Sequence, residues 1–352
     1  MSDRRIPPSE PAPEALGRVK VLVDAALRAA VNDLDDPHMR RVASYQMGWS
    51  GADGRPSQVG GKAIRPTLAV LSAEAVGGRS EDGVPGAVAV ELVHNFSLLH
   101  DDVMDRDVER RHRPTGWVVF GEAQAILAGN AMLTAAIEVL VGAGAAGQRC
   151  LTCLLTAIQQ LISGQSQDLY LEGRTGVELE DVLRMEAGKT AALLSCSASI
   201  GAIAAGASVE TVEGLAAFGH EVGIAFQLVD DILGMVGDPA VTGKSSSSDV
   251  RAGKASAPIV AALGARSDAS RRLARLFADG PPATDEDVAL ATKLIGEAGG
   301  LDWAAREADA RRARALERLA GLALPDRDAV ADLAAVADYI INRGRLPNMR
   351  TS

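Results

Sequence analysis

Two groups of carboxylates, Asp101-Asp102-Val103-Met104-Asp105 and Asp230-Asp231, each close an apolar run that has the spacing of a helix. In the first group, positions i, i+1 and i+4 put all three acids on one side of that helix. Carboxylates crowded this closely repel one another unless a cation or a proton offsets the charge. Neither group has a cysteine or a histidine pair at ligand spacing beside it. Together they suit a magnesium site with room for phosphate oxygens, built by two helices far apart in the chain. An enzyme that buries a diphosphate is the expectation that follows.

Composition narrows the fold. Of 352 residues 47% are apolar, and alanine, leucine and valine supply most of them, against three tyrosines, three tryptophans and five phenylalanines. Alanine and leucine favour helix, and the aromatics that mark strands are scarce, so an all-α fold is expected. The net charge of −10 argues against a broad nucleic-acid surface but leaves small anionic ligands open. Cys150 and Cys153 have the spacing of a redox pair, yet they lie in an apolar helical run and read as core residues, as does Cys196. The odd cysteine count, with no signal peptide, points to the cytoplasm. No unbroken apolar run of about 18 residues stands out, so no membrane span is expected.

Helical periodicity predicts helices near 16–31, 63–76, 86–105, 121–140, 147–171, 178–205, 210–234 and 249–263. Shorter ones follow near 267–277, 284–296, 300–320 and 326–343. Residues 1–15, with their prolines and charges, read as a disordered tail whose one conceivable role is docking onto another protein. Residues 16–345 read as a single helical domain. A polar, glycine-rich connection spans about 48–61, and no repeat recurs.

Each acid group has cations near it in sequence. Lys62 and Arg65 stand one turn apart where a glycine loop enters a helix, either as a solvated helix start or as an anion site. His94 lies seven residues before Asp101, on roughly the same face, and suits donation to a diphosphate. His100 is turned about 100° from Asp101 and suits a structural hydrogen bond. Arg110, Arg111 and Arg113 follow the acids; they neutralise them or, with metal, complete a diphosphate site. Lys189, beside Thr190 in an apolar helix, faces inward to an anion or snorkels out. Asp230-Asp231, with Gln227 one turn earlier, is followed by Lys244, Asp249 and Lys254.

These stretches, in this order, resemble the trans-isoprenyl diphosphate synthase (polyprenyl synthetase) family, most closely a bacterial geranylgeranyl diphosphate synthase. The matching segments are GGKAIRP, ELVHNFSLLHDDVMDRDVERRHRPT, the Gly164-Gln165 and Asp168-Leu169 element, EAGKTAAL, and FQLVDDILG with the lysine-bearing segments after it. The resemblance implies the isoprenoid synthase fold, long helices around a central cavity, in a homodimer. It implies Mg2+, as three ions held by Asp101, Asp102, Asp105 and Asp230, with Asp231 as a supporting acid. Arg110, Lys189 and Lys244, joined by Lys254, would hold the allylic diphosphate. Lys62, Arg65, His94 and Arg111 would hold isopentenyl diphosphate. Thr190 and Gln227 would line the reaction zone.

Three positions depart from the family pattern. Gly234 stands where the second acidic motif usually has an aspartate, His112 replaces a glycine, and Asn130 replaces an aspartate. Weakened metal affinity is the expected consequence. A cyclising terpene synthase, or a non-catalytic subunit that keeps the fold, are the other readings. Phe96, five residues before Asp101, would floor the channel for the growing chain beside the small Ser97, a pattern like that for geranylgeranyl diphosphate, with farnesyl diphosphate as the other product. The alternative for Phe96 is a plain core aromatic.

Overall fold

The computed structural model describes residues 12–57, 61–174, 176–237, 247–278 and 280–342. Lys244 and residues 1–11 of the expected tail lie outside the described residues. The rest is helical, as the composition required: α1 (Glu14–Asn32), α2 (Pro37–Gln46), α3 (Ile64–Ala75), α4 (Ser80–Met104), α5 (Gly116–Phe120), α6 (Glu122–Gly142), α7 (Gly144–Leu171), α8 (Leu179–Glu186) and α9 (Ala192–Ala204). Then follow α10 (Val209–Val236), α11 (Ser248–Ala252), α12 (Ala257–Gly264), α13 (Asp268–Leu276), α14 (Asp285–Glu297), α15 (Gly300–Ala320) and α16 (Arg327–Asn342).

The differences from the periodicity reading are local and have physical causes. The first helix begins at Glu14, two residues inside the expected tail. α2 has too many polar residues to show a stripe, but Asp36 caps it, accepting from the His38 and Met39 amides at 2.6 and 3.2 Å, with Pro37 in the first turn. The helix expected over 249–263 is two, because Gly253 (φ +65°) ends α11 and Ser256 starts α12. Between α8 and α9 the chain does not break; Ala187–Ala191 forms one π-helical turn, a local widening that recurs at functional sites.

A two-stranded hairpin, β1 (Glu109–Arg110) and β2 (Arg113–Pro114), follows the acid-bearing end of α4. Its two-residue loop, Arg111-His112, has φ +54° and +58°, the both-positive geometry of a type I′ turn. This explains why glycine is favoured where His112 stands.

α3, α4 and α9 form the interior. α3 is buried almost throughout from Pro66 to Ala73, and α4 buries Leu92, Val93, Phe96 and Leu99. A helix apolar on all sides must be packed on all sides. Two helical stretches, Glu122–Gly142 and Leu179–Ala204, are long and apolar enough to cross a membrane by length and composition, although neither is one unbroken apolar run. The second is mostly buried within the fold. α6 is less so; with α7 it leaves Ile126, Leu127, Val141, Leu155 and Ile162 exposed.

Candidate active site

The acids at the end of α4 have divided roles. Asp102 is 1% exposed and accepts from Arg110 Nε at 2.6 Å. Arg110 also reaches Asp107 at 3.6 Å, so one guanidinium pins the hairpin to the end of α4. Asp105 pairs with Lys254 Nζ at 3.4 Å, across 149 residues of sequence. Burial pushes the Asp101 carboxyl up to about 6, and the nearby Lys189 opposes the rise. A desolvated acid of this kind gains from an added cation.

Lys189 faces inward, not out to solvent. Its ammonium donates to Asp168 Oδ2 at 2.5 Å, which joins the π-turn to α7. The two elements touch backbone to backbone. A Cβ on Gly164 would stand 2.1 Å from the Lys189 nitrogen, so only glycine permits the approach. Thr190, next in the turn, donates from Oγ1 to Gln227 Oε1 at 2.7 Å. The Gln227 amide donates in turn to Asp231 Oδ1 at 2.8 Å, and the Ala257 amide reaches Asp231 Oδ2 at 3.1 Å. Asp231 therefore lies behind the site, 6% exposed, with both oxygens engaged, while Asp230 is on the exposed side of α10.

Glu186, 2% exposed, faces Asp231. Burial and the neighbouring acid raise Glu186 well above its usual range, and burial with Asp249 pushes Asp231 up to about 7. Glu186 was missed in the sequence, where an acid three residues before Lys189 in an apolar helix was the available signal.

A second set of groups forms two turns earlier along α4. His94 is half-buried, and desolvation and then Arg65, Arg111 and Arg110 push its pKa well below 6.5. It is a neutral imidazole among three guanidinium groups. Glu91, one turn earlier on α4, is half-buried near Arg65 and Arg111 and accepts from Asn95 at 3.2 Å. Sequence reasoning had quoted Glu91 without giving it a role. A Cβ built on Gly61 would stand 3.5 Å from Arg111 Nη1, so a side chain there would only just touch the guanidinium. Lys62 is turned toward the Tyr339 ring, its nitrogen 5.2 Å from the centroid.

His100 makes the structural bond expected of it. Its Nε2 is 3.0 Å from the Ile126 carbonyl and its ring lies against Gly129. Phe96, 5% exposed, packs edge to face on it with centroids 5.1 Å apart. Ser97 is buried, bonded to the His94 carbonyl. Asn130, next to Gly129, is on the exposed side of α6. Cys153 lies 3.5 Å from Cys196 on α9, and all three cysteines are free thiols.

Among the described residues no three acids already stand as a preformed metal cluster, because Arg110 and Lys254 hold Asp102 and Asp105. Asp101, Asp105 and Asp230 themselves offer only carboxylate oxygens, hard donors that fit Mg2+ better than a sulfur- or imidazole-seeking ion.

Comparison with known proteins identifies the family of the chain. The family model "Polyprenyl synthetase" matches residues 55–295. The chain is 45% identical over 337 residues to the (2E,6E)-farnesyl diphosphate synthase of Mycobacterium tuberculosis (strain ATCC 25618 / H37Rv), covering 93% of this chain and 92% of that one. It is 42% identical over 332 residues to the geranylgeranyl diphosphate synthase of the same strain, covering 93% of both chains. The crystal structure of a polyprenyl synthetase from Streptomyces coelicolor A3(2) superposes with a TM-score of 0.87 at 47% identity, over 93% of this chain and 99% of that one. The resemblance to a geranylgeranyl synthase in particular is therefore broadened to include a farnesyl synthase. With its motifs in order and these likenesses along nearly its whole length, the chain belongs to the polyprenyl synthetase family of isoprenoid-fold prenyltransferases.

Proposed function

We propose that this chain condenses isopentenyl diphosphate with an allylic diphosphate, releasing diphosphate, with geranylgeranyl diphosphate as its main product. The observation that carries the reading is the spacing of two anion sites on one helix. His94 with Arg65 and Arg111 forms one, and Asp101 with Lys189 and Arg110 forms the other. Seven residues of α-helix separate their centres by roughly 10 Å. Two diphosphates held that far apart suit a bimolecular condensation; a cyclising terpene synthase needs only the second site.

Bound Mg2+ supplies charge neutralisation for the departing diphosphate. Lys189, Arg110, Lys254 and Lys244 bind and orient that group, and Asp101, Asp105 and Asp230 are the acids that hold the metal. Asp102 serves through Arg110, and Asp231 through Gln227, which keeps Thr190 in place. The guanidinium groups and the neutral His94 orient the attacking isopentenyl diphosphate through its own diphosphate, with Lys62 swinging in from Tyr339. Apolar packing around Phe96 excludes the water that would quench an allylic cation. Residues 16–345 act as one unit of a cytoplasmic homodimer, whose partner covers the exposed apolar face of α6 and α7.

Purified protein given an allylic diphosphate, isopentenyl diphosphate and Mg2+ should form a longer prenyl chain, and omitting isopentenyl diphosphate should stop turnover. Asp101→Ala should cost more than about tenfold in rate. Cyclic hydrocarbon from the allylic substrate alone would refute the condensation reading, and inactivity on every substrate would favour a non-catalytic subunit. Farnesyl diphosphate is the second product reading, supported by the 45% identity to a farnesyl synthase. Product mass after dephosphorylation separates the two.

A further inference from the structure

α7 and α9 run side by side in opposite directions, and their contacts keep one register. Cys150 Sγ lies 3.4 Å from the Ile200 carbonyl oxygen, and Cys153 Sγ lies 3.5 Å from Cys196 Sγ. About three turns further along α7, Gly164 meets the Lys189 nitrogen of the π-turn. One seam thus joins a pair of thiols to the turn that carries Lys189 and Thr190. Bonded sulfurs stand about 2.05 Å apart, so Cys153 and Cys196 are about 1.5 Å short of a disulfide.

The three thiols differ in reactivity. Cys150 is buried, donates to the Ile200 carbonyl, and is pushed up by burial to about 11. Cys196 is also buried, and its contact with Cys153, then burial, raises it well above the usual thiol range. Cys153 is half-buried; the Cys196 contact lowers it, burial opposes, and the Ser199 hydroxyl at 3.8 Å lowers it further. The thiolate is the reactive form, so Cys153 is a reachable nucleophile with a second sulfur behind it. Cys153 and the exposed Leu155 are about 200° apart round α7, which turns the thiol away from the apolar face left to a partner.

We propose that Cys153 and Cys196 form a redox modification site, closed by hydrogen peroxide into a disulfide that ties α7 to α9 and slows turnover. The Cys153 sulfur attacks the peroxide; an S–O bond forms, the O–O bond breaks, and the released hydroxide takes up a proton as water. Cys196 then attacks the sulfur of the Cys153 sulfenic acid; the S–S bond forms, the S–O bond breaks, and a second water leaves with the Cys196 proton. Two thiols and one peroxide give one disulfide and two waters. Backbone already touches backbone at Gly164, so that end of the seam cannot close further. The helices tilt about this contact instead and carry Lys189 and Thr190 with them. The effect on turnover rests on the proposed condensation; the bond itself does not.

The full chain is treated with hydrogen peroxide, alkylated, digested and mapped by mass spectrometry. Prenyl chain formation is measured before treatment, after it, and again after dithiothreitol. The Cys153 and Cys196 peptides should appear joined and lighter by two hydrogens, with Cys150 still open to alkylation. Turnover should fall by about tenfold or more and return with reductant. Cys153→Ser and Cys196→Ser, checked by thermal melting, should keep their turnover under peroxide; the mapping uses the parent protein and does not depend on their folding. A Cys150–Cys153 bond, a bond between two chains, or Cys153 oxidised to sulfinic acid with Cys196 still a thiol would overturn the inference. A reversible Cys153–Cys196 bond with unchanged turnover would overturn the regulatory role. A reduced parent that forms no prenyl chain would refute the condensation reading, while the mapped bond would still decide the thiol pair.

Discussion

Gly164→Ala tests whether the contact between α7 and the π-turn sets the position of Lys189 and Thr190. The added methyl would stand 2.1 Å from the Lys189 nitrogen, 2.6 Å from the Gly188 carbonyl carbon and 2.8 Å from Lys189 Cα. All three are backbone atoms, so no side-chain rotation relieves the overlap. To restore ordinary contact, the turn and α7 must separate by roughly 1 Å, and overpacking of this kind costs about 1–3 kcal/mol. Catalysis should suffer more than stability. The separation carries Lys189 away from Asp168 and shifts the Thr190–Gln227–Asp231 chain, and a misplacement of about 1 Å can cost ~100-fold in rate. The assay is the steady-state rate of prenyl chain formation, with thermal melting of the same preparation. Parent-like turnover and melting would refute the argument, since the overlap would then have relaxed without moving the site. A large loss of stability with parent-like turnover would show that the contact supports the fold alone.

Phe96→Ala should lengthen the prenyl product, read by mass, and cost about 3–5 kcal/mol of stability as a buried aromatic lost from its contact with His100; unchanged product length would make Phe96 a core residue only. His112→Gly should stabilise the protein by roughly 1 kcal/mol in denaturant melts, because glycine tolerates the φ of +58° at that turn position; no gain would mean the histidine side chain repays the strain. The pH dependence of the metal-free protein has a defined sign. Asp101 rises from 3.8 to about 6 and Asp231 to about 7, so the folded state binds more protons than the unfolded one. Their contribution to stability should fall as pH rises from about 4 through 7, by ~3 kcal/mol for Asp101 alone. Mn2+ or Mg2+ binding should conversely weaken as pH drops below about 6, and Asp101→Asn should remove much of that dependence; calorimetry at several pH values checks both, and stability that rises through this range in the Asp101 difference would refute the assignment.

The helices could be read from the chain because their information is local. Alanine and leucine propensity and a repeat of about 3.6 residues place α3, α4, α7 and α10 without knowledge of their neighbours. α2 escaped because its start is set by one capping side chain, and the π-turn escaped because only packing of Gly164 against it calls for the wider backbone. The candidate site residues stand out in the sequence for a related reason. Charges set in apolar helices are costly, so Asp101, Lys189 and Asp230 marked themselves out.

Tertiary structure decided how those charges are divided. Asp101 and Asp102 are adjacent in sequence, yet Arg110 engages Asp102 while burial raises Asp101. Asp231 is turned behind the site toward Glu186, Gln227 and the Ala257 amide, and Asp105 meets Lys254 only because distant helices cross there. Composition and spacing determined that this chain is helical and that its acids and cations stand near one another along the sequence. Which acid meets which cation, and that Asp249 stands where Gly234 has no side chain, depend on distances of a few ångströms between segments far apart in sequence. Charge interactions and steric contacts change steeply over such distances, so only the packed chain sets them.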